Sequence, residues 1–288
     1  MPFSTLVSTD TLAAHLGEWA VVDCRFDLAN ESWGREQYAA AHVPGAVYAS
    51  LNDDLSGPRT GGNGRHPMPS DDALIALLER LGIGNGTQVV AYDQDAGSYA
   101  SRLWWLLRYA GHTAAAVLDG GFAKWTAEGR PVTSGQETRA HARFRASFKR
   151  NLVLSLDEVQ RRRGDGRTLL VDARAAERFE GRSETIDKVA GHIPGARNRF
   201  FRDNLAPDGT MLDAGALRTA FAGVFEGRNP TETVMYCGSG VTACHNLLAM
   251  AHAGLDGSAL YTGSWSEWSS DPARPIETGP AGTKQGNA

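Results

Sequence analysis

Cys237 ends a short apolar run, Val234-Met-Tyr236, and is followed by a loop with two glycines, Gly238-Ser-Gly240, and a helical pattern from about Val241. A cysteine so placed faces unpaired backbone N–H groups and the positive end of a helix macrodipole. Both favour an anionic sulfur, so the position suits a nucleophile or a sulfur carrier. The plain alternative is a buried structural cysteine. Such a residue, however, has no need of backbone amides gathered around it.

Four chemistries compete for this loop. A cysteine-dependent phosphatase would place an arginine six residues after the nucleophile to grip phosphate oxygens, and that position is Ala243. A zinc site would need a second pair of soft ligands beyond Cys237, Cys244 and His245, and none has the usual spacing, so no metal is expected. Cys244, Leu247, Leu248 and Ala251 share one helix face, which makes Cys244 a core residue and puts His245 on a neighbouring, more polar face. Gly238-Ser-Gly-Val-Thr-Ala243 matches the dinucleotide fingerprint. The acidic residue that should follow the next strand is absent, however: Thr262 and Gly263 stand there, and too little chain remains for a dinucleotide fold. The fourth option is sulfur transfer, because a ring of backbone N–H groups can stabilise a cysteine persulfide without a metal.

The elements that position Cys237 belong to a duplication. Val21-Val-Asp23 answers Leu170-Val-Asp172, and His42-Val-Pro-Gly-Ala46 answers His192-Ile-Pro-Gly-Ala196. Val89-Val-Ala-Tyr-Asp93 answers Thr233-Val-Met-Tyr-Cys237, Gly120-Gly-Phe-Ala-Lys-Trp125 answers Gly263-Ser-Trp-Ser-Glu-Trp268, and Arg130-Pro-Val132 answers Arg274-Pro-Ile276. A period this long means two copies of a domain rather than a solenoid. Within each copy, strand-like runs alternate with helical patterns such as Asp71 to Leu81, with Ser70 as N-cap, and Ser101 to Ala110, with Gly111 as stop. That alternation predicts an α/β fold, each domain a mainly parallel sheet flanked by helices. The expected layout is an N-terminal domain over 1–135, a polar linker over 136–151 and a catalytic domain over 152–280. Asp93 holds the place of Cys237 in the first copy, so only the second copy can do thiol chemistry.

With 288 residues, 42% hydrophobic and a net charge of −4, the chain has an ordinary globular composition. It lacks the basic stripe of a nucleic-acid binder and any apolar run of membrane-spanning length. Its three cysteines form no disulfide framework, and the N-terminal residues lack a signal-like basic and apolar pattern. A reducing, cytoplasmic setting is expected.

The duplication, the two His-[Val/Ile]-Pro-Gly-Ala motifs, the Asp93/Cys237 asymmetry and the loop Cys237-Gly-Ser-Gly-Val-Thr242 resemble tandem-domain rhodanese-family sulfurtransferases. Among these the chain is most similar to the 3-mercaptopyruvate sulfurtransferases, over about Val7 to Ile276. The resemblance implies a persulfide on Cys237, cradled by the backbone of Gly238, Gly240, Val241 and Thr242, with no cofactor. Thiosulfate enzymes of the family carry cationic side chains in the two positions after the cysteine, whereas Gly238 and Ser239 are uncharged. Mercaptopyruvate expels an enolate that must be protonated, and a hydroxyl on a proton relay serves that better than a second cation. The implied relay is Ser239 with His66, matched through His66-Pro-Met-Pro69, and an aspartate for which Asp53 is preferred to Asp54.

The resemblance also implies Arg178 as the grip on the substrate carboxylate. The second arginine of better-known members is not matched: Ile186-Asp187-Lys188 stands there, with Arg182 or Lys188 as possible stand-ins. The implied partners are a small-molecule sulfur donor and an acceptor, either a thiol such as thioredoxin or glutathione, or cyanide. A thiosulfate:cyanide sulfurtransferase and a persulfide carrier with little turnover stay open as alternatives.

Overall fold

The computed structural model describes residues 2–94 and 96–281, which form two compact units. One comprises the chain up to Pro58, Met68–Arg150 and Leu205–Leu212; the other comprises Arg59–Pro67, Asn151–Asn204 and the chain from Asp213 on. The stretch read as a linker does not hang free. Ser147 N and Lys149 N donate to Ala110 O and Tyr109 O at 2.9 and 2.8 Å, and Phe144 is buried, so 136–150 runs back along the first unit. Residues 59–67, in the middle of the first sequence copy, group with the second unit.

Each unit is built on one sheet. In the first, β1 (Leu6–Val7), β2 (Ala20–Asp23), β3 (Val47–Tyr48), β4 (Val89–Tyr92) and β5 (Ala115–Leu118) lie in the order β1-β5-β4-β2-β3, every pairing parallel. In the second, β6 (Val153–Leu154), β7 (Leu169–Asp172), β8 (Arg197–Asn198), β9 (Thr233–Tyr236) and β10 (Ala259–Tyr261) repeat that order and sense. Val89-Val-Ala-Tyr92 and Thr233-Val-Met-Tyr236 are buried at every residue. Helices on both faces of a parallel sheet require such unbroken apolar strands.

Local signals set the helix ends. Ser70 Oγ accepts from Ala73 N and opens the helix Asp71–Arg80. The helix Ala100–Tyr109 stops where Gly111 takes φ +88°, with Gly111 N and His112 N returning to Arg108 O and Leu107 O. That paired return is the Schellman closure, and it needs a residue at ease in the left-handed region. No helix among the described residues is long and apolar enough to cross a membrane.

The repeated motifs tie loops to the sheet in the same way in both units. Arg25 Nε donates to both oxygens of Asp23, and its NH2 reaches Ala41 O; Arg174 makes the same grip on Asp172 and reaches Gly191 O. The hydroxyls of Tyr92 and Tyr236 accept from Val43 N and Ile193 N inside the two His-x-Pro-Gly-Ala loops. Trp125 and Trp268 donate to Pro131 O and Pro275 O, which explains why a Trp and an Arg-Pro recur together. These buried groups are satisfied by hydrogen bonds, as burial demands.

The units differ at the tip of the central strand. In the first unit Asp93 folds its carboxylate back into its own loop: Oδ1 accepts from Gly97 N at 2.9 Å, and Oδ2 from Tyr99 N and Ala100 N at 2.7 and 3.0 Å. The amides at the start of the following helix are thereby taken by an internal anion.

Candidate active site

Strand β9 lies between β10 and β7 and ends on Cys237. Ligands of open parallel sheets bind at such carboxyl ends. The loop is then held open by its neighbours. Cys237 N donates to Ser264 Oγ at 3.1 Å, while Cys237 O and Gly238 O accept from Trp265 N and Ser266 N, both at 2.9 Å. Ser264 adopts φ +55°, a costly conformation for a residue with a side chain, and its hydroxyl also donates to Tyr261 O at 2.9 Å. With those carbonyls tied outward, Gly240 N points at the sulfur, 3.1 Å from Sγ.

Gly240 makes this turn at φ +74°, and a Cβ there would stand 2.3 Å from Thr262 O. No other residue type fits the position. The helix begins at Ala243, two residues later than its apolar pattern suggests, because Val241 and Thr242 complete the turn. Cys244 is fully buried and donates to Gly240 O, as a core residue. His245 does not lie on a polar face: it is fully buried, against Asn204 and the edge of Phe201.

Ser239 and His66 meet directly, Oγ to Nδ1 at 2.8 Å, both buried. The contact is possible because 59–67 packs on the loop after β10. Arg65 N donates to Ser266 Oγ at 3.0 Å, and Gly64 lies so close to Gly263 O that a Cβ would stand 2.7 Å from it. Asp53 belongs to the other unit, where its mostly exposed carboxylate pairs with Arg35 at 3.2 Å. Asp54 accepts from Ser50 N and pairs with Arg80, and burial raises its carboxyl above the usual range.

Arg178 rises from the short helix Ala176–Phe179 and is held by two carboxylates. Its Nε donates to both Glu184 oxygens at 3.0 Å, and its NH2 to Asp187 Oδ2 at 2.9 Å. Asp187 is also gripped by Arg65. The guanidinium of Arg65 lies in the space a side chain at 238 would need, 2.9 Å from a Cβ placed there, and Arg178 follows at 3.6 Å. Burial pushes the Asp187 carboxyl up, against the pull of Arg65 and Arg178. Glu184 ends below the usual range: burial would raise it, but Arg178 and the amides of Asp187 and Ile186 outweigh that. Arg182 pairs with Glu180 on the surface, and Lys188 lines a cavity of about 410 Å³ beside Arg65 and Asp187.

The structure thus brings together Cys237, Gly238, Ser239, Gly240, His66 and Arg178. It adds Arg65, for which the only sequence signal is its place directly before His66.

Comparison with known proteins bears on this arrangement. The model of the rhodanese-like domain matches residues 8–128 and 155–271, one copy in each half. A Pseudomonas aeruginosa protein named "Probable 3-mercaptopyruvate sulfurtransferase" is 44% identical over 97% of this chain and 100% of its own length. The thiosulfate sulfurtransferase of Bos taurus is 36% identical over 92% of each chain. Among solved structures, the 3-mercaptopyruvate sulfurtransferase from Leishmania major superposes with a TM-score of 0.82 at 32% identity, covering 92% of this chain and 74% of that one. Matched by two copies of the domain and by relatives along nearly its whole length, the chain belongs to the rhodanese-like family.

Proposed function

We propose that this chain is a sulfurtransferase that takes sulfur from 3-mercaptopyruvate onto Cys237 and passes it to a thiol or to cyanide. The observation that carries the reading is the pairing of an amide-cradled sulfur with a buried Ser239–His66 contact in one loop. In the first half-reaction the Cys237 thiolate attacks the donor's sulfur, the carbon–sulfur bond breaks, and the bonding electrons leave with the pyruvate enolate. Ser239 and His66 deliver the proton that turns the enolate into pyruvate. Gly240 N–H and the amides through Thr242 hold the persulfide, which an acceptor such as thioredoxin, glutathione or cyanide then discharges.

Asp93 supports the cradle part of the reading. Its carboxylate occupies the equivalent amides of the first unit, so this loop geometry accepts a compact anion. Three buried cysteines, none in a disulfide among the described residues, support a reducing, cytoplasmic setting.

Thiosulfate is the competing donor, and the resemblance to the bovine enzyme keeps it in view. Measuring kcat/KM for both donors decides the matter: a clear preference for thiosulfate overturns the donor assignment. His66→Ala should lower kcat/KM for mercaptopyruvate by about 100-fold, the usual scale for a lost general acid. It should change thiosulfate turnover by less than about threefold, since sulfite leaves without a proton. Equal losses with both donors would remove His66 from the relay.

A further inference from the structure

A thiol loop with neutral residues at 238 and 239 still has cations beside it, and they come from elsewhere. The Arg65 guanidinium fills the room that the missing side chain of Gly238 leaves, and Arg178 stands next to it. One buried carboxylate, Asp187, joins the two, taking Arg65 on Oδ1 and Arg178 on Oδ2. Glu184 holds Arg178 from the other side. The side chains of Arg65 and Arg178 are 23% and 20% exposed, while those of Asp187 and Glu184 show only 5% and 4%. The two arginine side chains are thus more open to solvent than the carboxylates that hold them. The pair can form directed hydrogen bonds to an anion, while Asp187 offsets one of their charges and so weakens the field on a second negative charge; Arg59 and Lys188 line the cavity beside them.

We infer that Asp187 is a specificity-determining residue: by joining Arg65 to Arg178 and cancelling one of their charges, it tunes the site to a monoanionic donor and against a dianionic one. The inference rests on the donor reading above and deepens it. Asp187 acts through the arginines and is a positioning residue. A purely structural role would lower activity with every donor alike, whereas this role makes the ratio between donors move.

The test is kcat/KM for 3-mercaptopyruvate and for thiosulfate in the wild type, Asp187→Asn and Asp187→Glu. Asparagine keeps the size and one acceptor but removes the charge. It should raise the thiosulfate-to-mercaptopyruvate ratio by about tenfold or more, the scale of one nearby charge gained or lost. Glutamate should keep the ratio within about threefold of the wild type. An unchanged ratio in Asp187→Asn overturns the assignment of Asp187 and leaves the donor reading standing. Wild-type preference for thiosulfate overturns the donor reading whatever the variants do. Should the variants fail to fold, the wild type still decides. At matched ionic strength pyruvate should inhibit more strongly than sulfate, and stronger inhibition by sulfate overturns the inference.

Discussion

Cys237→Ser is expected to lose both sulfur loading and turnover, with kcat/KM falling by more than about a thousandfold. The serine side chain is nearly isosteric, and Gly240 N–H, 3.1 Å from the sulfur, would find an oxygen acceptor in its place. The fold should therefore survive, since the buried loop loses no hydrogen bond. What disappears is a polarisable sulfur nucleophile that can bear a second sulfur atom. Mass spectrometry of the intact chain after incubation with 3-mercaptopyruvate checks this directly. The wild type should gain one sulfur atom and the variant none, with unchanged thermal stability. Turnover that survives the substitution would mean that the sulfur travels by another route.

Gly240→Ala is expected to be nearly as damaging to activity and, unlike the serine variant, to cost stability. At φ +74° an alanine pays about 1–2 kcal/mol for the left-handed backbone alone. Its methyl would also have to stand 2.3 Å from Thr262 O, a rigid backbone atom at the end of β10. Overpacking of this kind adds about 1–3 kcal/mol. Either the loop moves away from β10, carrying the Gly240 N–H away from the sulfur, or Thr262 moves and disturbs the Ser264 and Trp265 hydrogen bonds to Cys237. A displacement of about 1 Å in such a site costs on the order of 10²-fold in rate. The expected result is a loss of that size in kcat/KM together with a fall in melting temperature of about 5–10 °C. Full activity would show that the cradle does not depend on this turn.

Much of this architecture is legible in the residues because it is written twice. The Val-Asp, His-x-Pro-Gly-Ala, Tyr and Trp…Arg-Pro elements recur in order, and each is a hydrogen-bonded tie whose two ends lie in one unit. Cys237, Gly238 and Gly240 are legible for a related reason: strand, turn and helix are consecutive, so local chemistry is enough. The contacts of the loop 59–67 are a different matter. Arg65 meets Asp187 across 122 positions and His66 meets Ser239 across 173, and no periodicity announces pairings at that range. For that reason His66 needs the family resemblance to be singled out, and Arg65 is not singled out at all. Asp187 reads in the sequence as a missing arginine. In the fold it is the carboxylate that gathers two arginines from elsewhere, so the local mismatch hides a distant compensation.

The self-filled loop of the first unit also sets how much sulfur one molecule can hold. A carboxylate attached to the strand that ends in its own amide nest competes as a tethered ligand, with an effective molarity that no free anion approaches. That nest is occupied by Asp93. The nearby Cys24 offers no substitute, because burial and then the charges of Asp23, Asp93 and Asp54 hold its thiol well above the ordinary range. Titration with isotopically labelled donor should therefore saturate at one sulfur per chain, and a plateau at two would show that the tether had let go. The duplication gives this protein two amide nests at matching strand ends, one filled by a residue of its own and one left for cargo.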